Sequence, residues 1–228
     1  MAIDTTALTI PLAAGTTVPG LLDTGPAAEA CYVFAHGAGA GMEHAFMAAT
    51  ARGLAQRGIA ALRFQFPYMA QGSRRPDRPD VAQDCVRAAV HEAAKRVPGV
   101  PLFAGGKSYG GRMTSQAQAA EPLAGVRGIV FVGFPLHPTG KPSIDRAGHL
   151  ADVRVPMLFL QGTRDTLADL ALIRETVGRL GSRATLHVVE GGDHSFHVPA
   201  RSSRNDDEVH GELVATMAGW MKSTLAAA

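Results

Sequence analysis

The sequence predicts an α/β protein built on a mainly parallel central sheet with helices on both faces. Three observations carry that expectation. Short apolar runs of strand length alternate along the chain with longer segments of helical period. Turn residues, chiefly Gly, Pro and Asp, separate the two kinds of segment. The connections between successive strands are long enough to hold a crossover helix, which parallel neighbours require.

The elements follow in order. A hairpin is expected over residues 7–22, and ACYVFA at 30–35 is a fully apolar strand that stops at His36-Gly37. Residues 43–57 are Ala-rich, carry Leu54 and end before Gly58, as a helix closed by a glycine does. Residues 59–66 read as the next strand. Residues 80–97 repeat apolar side chains about one turn apart, with Asp80 expected as the N-cap and Pro98 just beyond the end. The pattern continues with strands at 100–104, 126–134, 155–160 and 184–189, and with helices at 109–120, 167–180 and 207–225. Two stretches lack periodicity, the Arg- and Pro-rich 67–79 and the Pro-rich 135–152, and read as loops. No repeat or linker interrupts the alternation, so residues 1–228 are expected to form one domain.

Composition narrows the class. Charged residues make up 18% of the chain and hydrophobic residues 46%, which excludes a disordered or acidic-tail protein. The net charge is +2, far from the clustered basic excess of an electrostatic nucleic-acid binder. No run reaches the ~18 apolar residues of a membrane span, and MAIDTTALTIPLAAG has no basic region of the kind that opens a secretory signal. Cys31 and Cys85 are too few for a disulfide framework and form no C-x-x-C pair, so a reducing, cytoplasmic setting is expected.

Three glycine-rich motifs compete for the chemistry. Gly106-Lys107-Ser108 has the end of a phosphate-binding loop, but the position five before Gly106 is Pro101 and the segment between is a strand. HGAGAGM at 36–42 approximates a dinucleotide fingerprint, yet its third glycine position falls on Met42 and the following strand, IAALRFQF, lacks the acidic ribose ligand. No cofactor is therefore expected. The third motif, Gly106-Lys107-Ser108-Tyr109-Gly110, is G-x-S-x-G between a strand and a helix. A nucleophile on so sharp a turn needs small neighbours two residues before and after it.

A serine needs a base, and the base needs a group to orient it. Strand VPMLFLQG is followed by Asp165, and strand ATLHVVE by His194, which gives Ser108, Asp165 and His194 in that order, each on the loop after a strand. Asp169 is the other candidate acid, Asp165 then capping the next helix. His197 lies on the same loop as His194, but two histidines and one carboxylate do not make a zinc motif, so no metal is expected. Two N–H groups must face the oxyanion. Tyr109, directly after the serine, and Ala38, in the small-residue loop His36-Gly37-Ala38-Gly39, are the expected donors.

The motif set resembles the α/β-hydrolase superfamily, in particular its small, lidless, dienelactone-hydrolase-like members and the KANL-type hydrolase family. The matching segments are HGAGAGM (36–42), RFQFPYM (63–69), GGKSYGGRM (105–113), GFPLHPTGKP (133–142), LQGTRD (160–165) and GGDHSF (191–196). The resemblance implies the same three residues as a triad. This chain departs from such relatives in having Tyr109 where Met is common, and a serine where dienelactone hydrolases use cysteine.

Together these readings predict a serine hydrolase of carboxylic esters or related small acyl substrates. A non-catalytic scaffold on the same fold, or a thioesterase or peptidase using the same three residues, stays open as an alternative. The expected partner is a small-molecule acyl substrate, with no nucleic acid or membrane surface and with a homodimer left open. Arg74, Arg75 and Arg78 are candidates for attracting an acidic substrate. Residues 135–152 are too short for a helical lid, which implies an open site.

Overall fold

The structure is a computed structural model that describes residues 2–227, so the two end residues of the expected 1–228 domain lie outside the described residues. A hairpin, β1 (Asp4–Pro11) and β2 (Thr17–Thr24), opens the chain. Then come β3 (Ala30–Ala35), α1 (Ala45–Ala55), β4 (Ile59–Phe64), the single turn α2 (Pro67–Ala70) and α3 (Pro79–Arg96). The chain continues through β5 (Leu102–Lys107), α4 (Tyr109–Ala120), β6 (Val126–Val132), a 3-10 helix (Asp145–Asp152) and β7 (Met157–Gly162). It ends with α5 (Leu170–Leu180), β8 (Ala184–Val189) and α6 (Asp206–Ala226).

The eight strands form one sheet in the order β1-β2-β4-β3-β5-β6-β7-β8. The hairpin pairs antiparallel within itself and onto β4, and every pairing from β4 to β8 is parallel. Side chains along β3 alternate between the faces. Cys31, Val33 and Ala35 join a core with residues of α3, α4 and α5, whereas Tyr32 and Phe34 join residues of α1 and α6 on the other side. Burying both faces explains why the central strands read as unbroken apolar runs. Tyr32 is fully buried and satisfies its hydroxyl by donating to the Val130 carbonyl at 3.0 Å.

Several expected boundaries move for identifiable reasons. α3 starts one residue before Asp80, because Pro79 takes the first helical position and Arg78 becomes the N-cap. Asp80 sits in the first turn and accepts from the Arg78 guanidinium. The 67–79 loop contains α2, also opened by a proline at its first position. The 135–152 loop carries the 3-10 helix, whose Ala147 and Leu150 enter the core. α5 begins at Leu170 rather than residue 167, since the Asp169 side chain caps it through the Leu172 N–H at 3.0 Å. The strand expected at 100–104 runs on to Lys107, so the glycine pair before Ser108 is strand and not turn. The strand expected at 59–66 instead ends at Phe64, since the Phe66 N–H turns away to a buried histidine ring, His36 Nε2, at 3.1 Å.

A buried ion pair joins the hairpin to the sheet. Arg63 on β4 donates Nε and Nη2 to Asp23 Oδ2 on β2 at 2.9 and 2.8 Å, and Nη1 to the Met42 carbonyl at 2.8 Å. Side-chain exposure is 4% for the arginine and 1% for the aspartate. Satisfying both charges with directed hydrogen bonds is what makes such burial tolerable.

Candidate active site

The site is built at the carboxyl ends of β3, β5, β7 and β8, where loops of an open parallel sheet converge. β5 runs directly into Ser108, which has φ 48° and ψ −114°. A non-glycine residue in that region carries strain of about 1–3 kcal/mol. The turn is held from both sides. The Ser108 N–H donates to the Val132 carbonyl at 3.1 Å, and its own carbonyl accepts the Arg112 N–H at 3.2 Å. A Cβ on Gly106 would lie 2.4 Å from the Ala35 carbonyl oxygen, and one on Gly110 would lie 2.5 Å from that same oxygen. The two flanking glycines are therefore required by the close approach of β3 to the elbow.

Ser108 Oγ lies 2.8 Å from His194 Nε2, and His194 Nδ1 lies 2.7 Å from Asp165 Oδ2. With Asp165 as acceptor, Nδ1 carries the proton and Nε2 is left to accept from the serine hydroxyl. The carboxylate is buried and receives two further donors, Gln161 Nε2 at 2.5 Å on Oδ2 and the Leu167 N–H at 2.8 Å on Oδ1. The acid and histidine loops are joined through backbone. The Arg164 N–H donates to the Gly192 carbonyl at 2.9 Å, and the Gly191 N–H donates to Thr163 Oγ1 at 2.9 Å. Asp169 is committed to capping α5, and its N–H donates to His137 Nε2 at 2.8 Å. His197 faces away, with Nδ1 2.6 Å from Asp206 at the start of α6.

The loop after β3 is ordered by His36. This buried ring donates from Nδ1 to the Gly37 carbonyl at 2.8 Å and accepts at Nε2 from the Phe66 N–H. Burial holds its pKa below the ordinary histidine value, in keeping with a neutral ring in that tautomer. Beyond it, the Gly39 N–H donates to the Tyr68 hydroxyl at 3.2 Å and the Met42 N–H to Gln65 Oε1 at 2.9 Å. Among the described residues, the N–H groups of Ala38 and Tyr109 meet no protein acceptor. Tyr109 is the first residue of α4, where such N–H groups are left over by the helix itself.

Sequence reasoning passed over three residues near the site. Lys107 lies under the histidine loop, donating Nζ to the His194 carbonyl at 2.5 Å, with Nζ 5.4 Å from the Phe196 ring centroid. Burial brings its ammonium down to about 8. Gln161 fixes Asp165 and also accepts the Phe134 N–H at 3.0 Å. A polar residue within an otherwise apolar strand is the signal that flags both. The third residue is Arg112, on the first turns of α4. Of the arginines singled out from sequence, Arg78 is exposed and paired with Asp80, while Arg74 and Arg75 lie exposed on the loop before α3.

A family model described as an alpha/beta hydrolase domain matches residues 28–222, and the chain belongs to that family. Solved structures of similar fold include the XC6422 protein from Xanthomonas campestris, an α/β serine hydrolase without a lid. It is 22% identical, with a TM-score of 0.73 and 95% of each chain covered. A dienelactone hydrolase from Anabaena variabilis is 18% identical with a TM-score of 0.78, covering 98% of this chain and 99% of that one. The esterase domain of a Rhodothermus marinus protein is 16% identical with a TM-score of 0.71, covering 96% and 98%. The protein is thus a hydrolase-fold chain without a lid domain among its described residues. No helix among them is long and apolar enough to cross a membrane.

Proposed function

We propose that the protein is a serine hydrolase that cleaves carboxylic esters or related small acyl compounds through an acyl-enzyme intermediate. The observation that carries this reading is the hydrogen-bonded series Ser108–His194–Asp165, with the histidine tautomer set by the acid. The esterase and lidless serine hydrolase named above have the same fold, which agrees with the reading.

In this reading Ser108 Oγ attacks the carbonyl carbon while its proton passes to His194 Nε2. Asp165 stabilises the resulting imidazolium. The oxyanion is received by the N–H groups of Ala38 and Tyr109, which the fold leaves without acceptors. Collapse breaks the bond to the leaving alcohol, which takes the proton from His194. Water then attacks the acyl-serine with His194 as base, releasing the acid and restoring the serine. The unpaired, buried thiols of Cys31 and Cys85 agree with a reducing compartment, where the substrate would be met.

A fluorophosphonate probe tests the assignment. Covalent labelling mapped to Ser108 by peptide mass spectrometry is expected; a folded protein that stays unlabelled would remove the nucleophile role. Lys107 acts in this scheme as a positioning residue. Lys107→Met is expected to lower kcat roughly tenfold to a hundredfold, as a displaced general base does, with KM changing less. Equal kcat in wild type and variant would show that the lysine bond to the His194 carbonyl is only structural.

A further inference from the structure

One side-chain atom of the described residues is buried without any hydrogen-bond partner, Nε of Arg112. Buried polar groups are nearly always satisfied, so such an atom asks for an explanation. The surroundings sharpen the question. Among the described residues, Arg112 makes no salt bridge and neither does Arg146, its cationic neighbour on the 3-10 helix. Arg146 uses only Nη1, in a long contact of 3.4 Å to the Pro135 carbonyl. Two half-buried arginines therefore stand on packed elements, α4 and the 3-10 helix that His149 ties to Ser115, with nearly all their donors unspent and no carboxylate paired with either. Burial, and next the charge of Arg146, hold Arg112 below the ordinary arginine value, while Tyr109 works in the opposite direction.

The remaining groups around the pair do not supply an anion. His149, on the same 3-10 helix, lies with Nε2 2.7 Å from Ser115 Oγ, and that hydroxyl donates to the Arg112 carbonyl at 3.1 Å. Burial, reinforced by Arg112, pushes the imidazole down to about 4, so it is uncharged at neutral pH. Asp152 also acts on His149, but makes no ion pair with either arginine.

The pair is placed beside the chemistry. Arg112 sits one helical turn after Ser108 and bonds its carbonyl, and side chains on a helix lean toward its N-terminus. Arg146 reaches toward the carbonyl of Pro135, in the loop that leaves β6 past Gly133, and a Cβ added at Gly133 would come within 3.5 Å of His194 Cε1. A planar carboxylate matches the parallel N–H donors of a guanidinium.

We propose that Arg112 and Arg146 form a subsite for a carboxylate carried by the substrate, so that the esters hydrolysed are anionic ones such as half-esters of short dicarboxylic acids. This rests on the serine hydrolase reading for the reaction, while the anion subsite stands on its own geometry. The arginines singled out from sequence, on the exposed 71–78 loop, are not part of it.

The test compares kcat/KM by pH-stat for matched pairs. Monomethyl glutarate against methyl pentanoate places the charge on the acyl side; 4-acetoxybenzoate against phenyl acetate places it on the leaving group. In at least one pair the anionic ester is expected to be favoured about tenfold or more, the scale of a charge-assisted hydrogen bond. Arg112→Gln and Arg146→Gln are each expected to reduce that preference about tenfold, and added salt to reduce it further. Preference for the neutral ester in both pairs, or a ratio unmoved by both substitutions, overturns the proposal. A binding measurement is independent of turnover: glutarate should raise the melting temperature of Ser108→Ala protein, and the shift should vanish on adding Arg146→Gln. Absence of any shift overturns the subsite. If glutarate binds while no ester is cleaved and Ser108 stays unlabelled, the subsite stands and the hydrolase reading fails.

Discussion

Asp165→Asn is expected to lower kcat for ester hydrolysis about 10⁴-fold, as mispositioning the histidine tautomer does in other triads, with little loss of fold. The reason lies in the donors that converge on this carboxylate. His194 Nδ1–H and Gln161 Nε2–H reach Oδ2, and the Leu167 N–H reaches Oδ1. An amide has one acceptor oxygen. If its NH₂ turns toward His194, the ring keeps its proton on Nε2 and can no longer accept from Ser108. If the NH₂ turns the other way, it meets the Leu167 N–H head-on. Steady-state hydrolysis of a 4-nitrophenyl ester, with Ser108→Ala as the reference for complete loss, measures the effect. A fall of less than tenfold would move the role of acid elsewhere. The neighbouring candidates are already engaged, Asp169 with the Leu172 N–H and Asp193 with the N–H groups of Ser195 and His197.

Gly110→Ala is expected to destabilise the protein by roughly 3 kcal/mol or more. The new Cβ would stand 2.5 Å from the Ala35 oxygen and 2.6 Å from both the Ala35 carbon and the His36 oxygen. All three are backbone atoms of β3 and its loop, so no side chain can rotate to make room. For a chain of this size that corresponds to a fall in Tm of about 6–12 °C. Gly219→Ala is the control, because a Cβ there in α6 meets nothing within 4 Å. That substitution is expected to be neutral or to add about 0.5–1 kcal/mol through helix propensity. Calorimetric melts of the two variants check the contrast, and equal melting temperatures would refute the packing account.

What the sequence could reveal followed from how local each cause is. Alternating apolar runs, glycine stops and the G-x-S-x-G turn act within a few residues, so the alternation of strands and helices and the chain order of Ser108, Asp165 and His194, which the fold brings together, were readable. Helix and strand ends were less so, because Arg78 and Pro79 took the start of α3 in place of Asp80, and capping by Asp169 moved the start of α5 from residue 167 to Leu170. Lys107 was passed over since its partner lies far along the chain, and Gln161 since only the turn after β7 brings its amide onto Asp165 four residues on. Lys107 meets a carbonyl 87 residues away, which no periodicity encodes. The unmatched state of Arg112 is visible only once the 3-10 helix has folded over α4.

The ion pair between Asp23 and Arg63 gives the N-terminal hairpin a standing that its position at the sheet edge conceals. Arg63 divides its donors between the hairpin and the carbonyl of Met42, the residue that closes the loop carrying Ala38. Removing the Asp23 carboxylate with the strands left in place would strand a buried guanidinium beneath that loop, at a cost of about 3–5 kcal/mol. The hairpin is thus a keystone rather than an ornament: minimised or circularly rearranged versions of this protein have to carry a carboxylate at the position of Asp23.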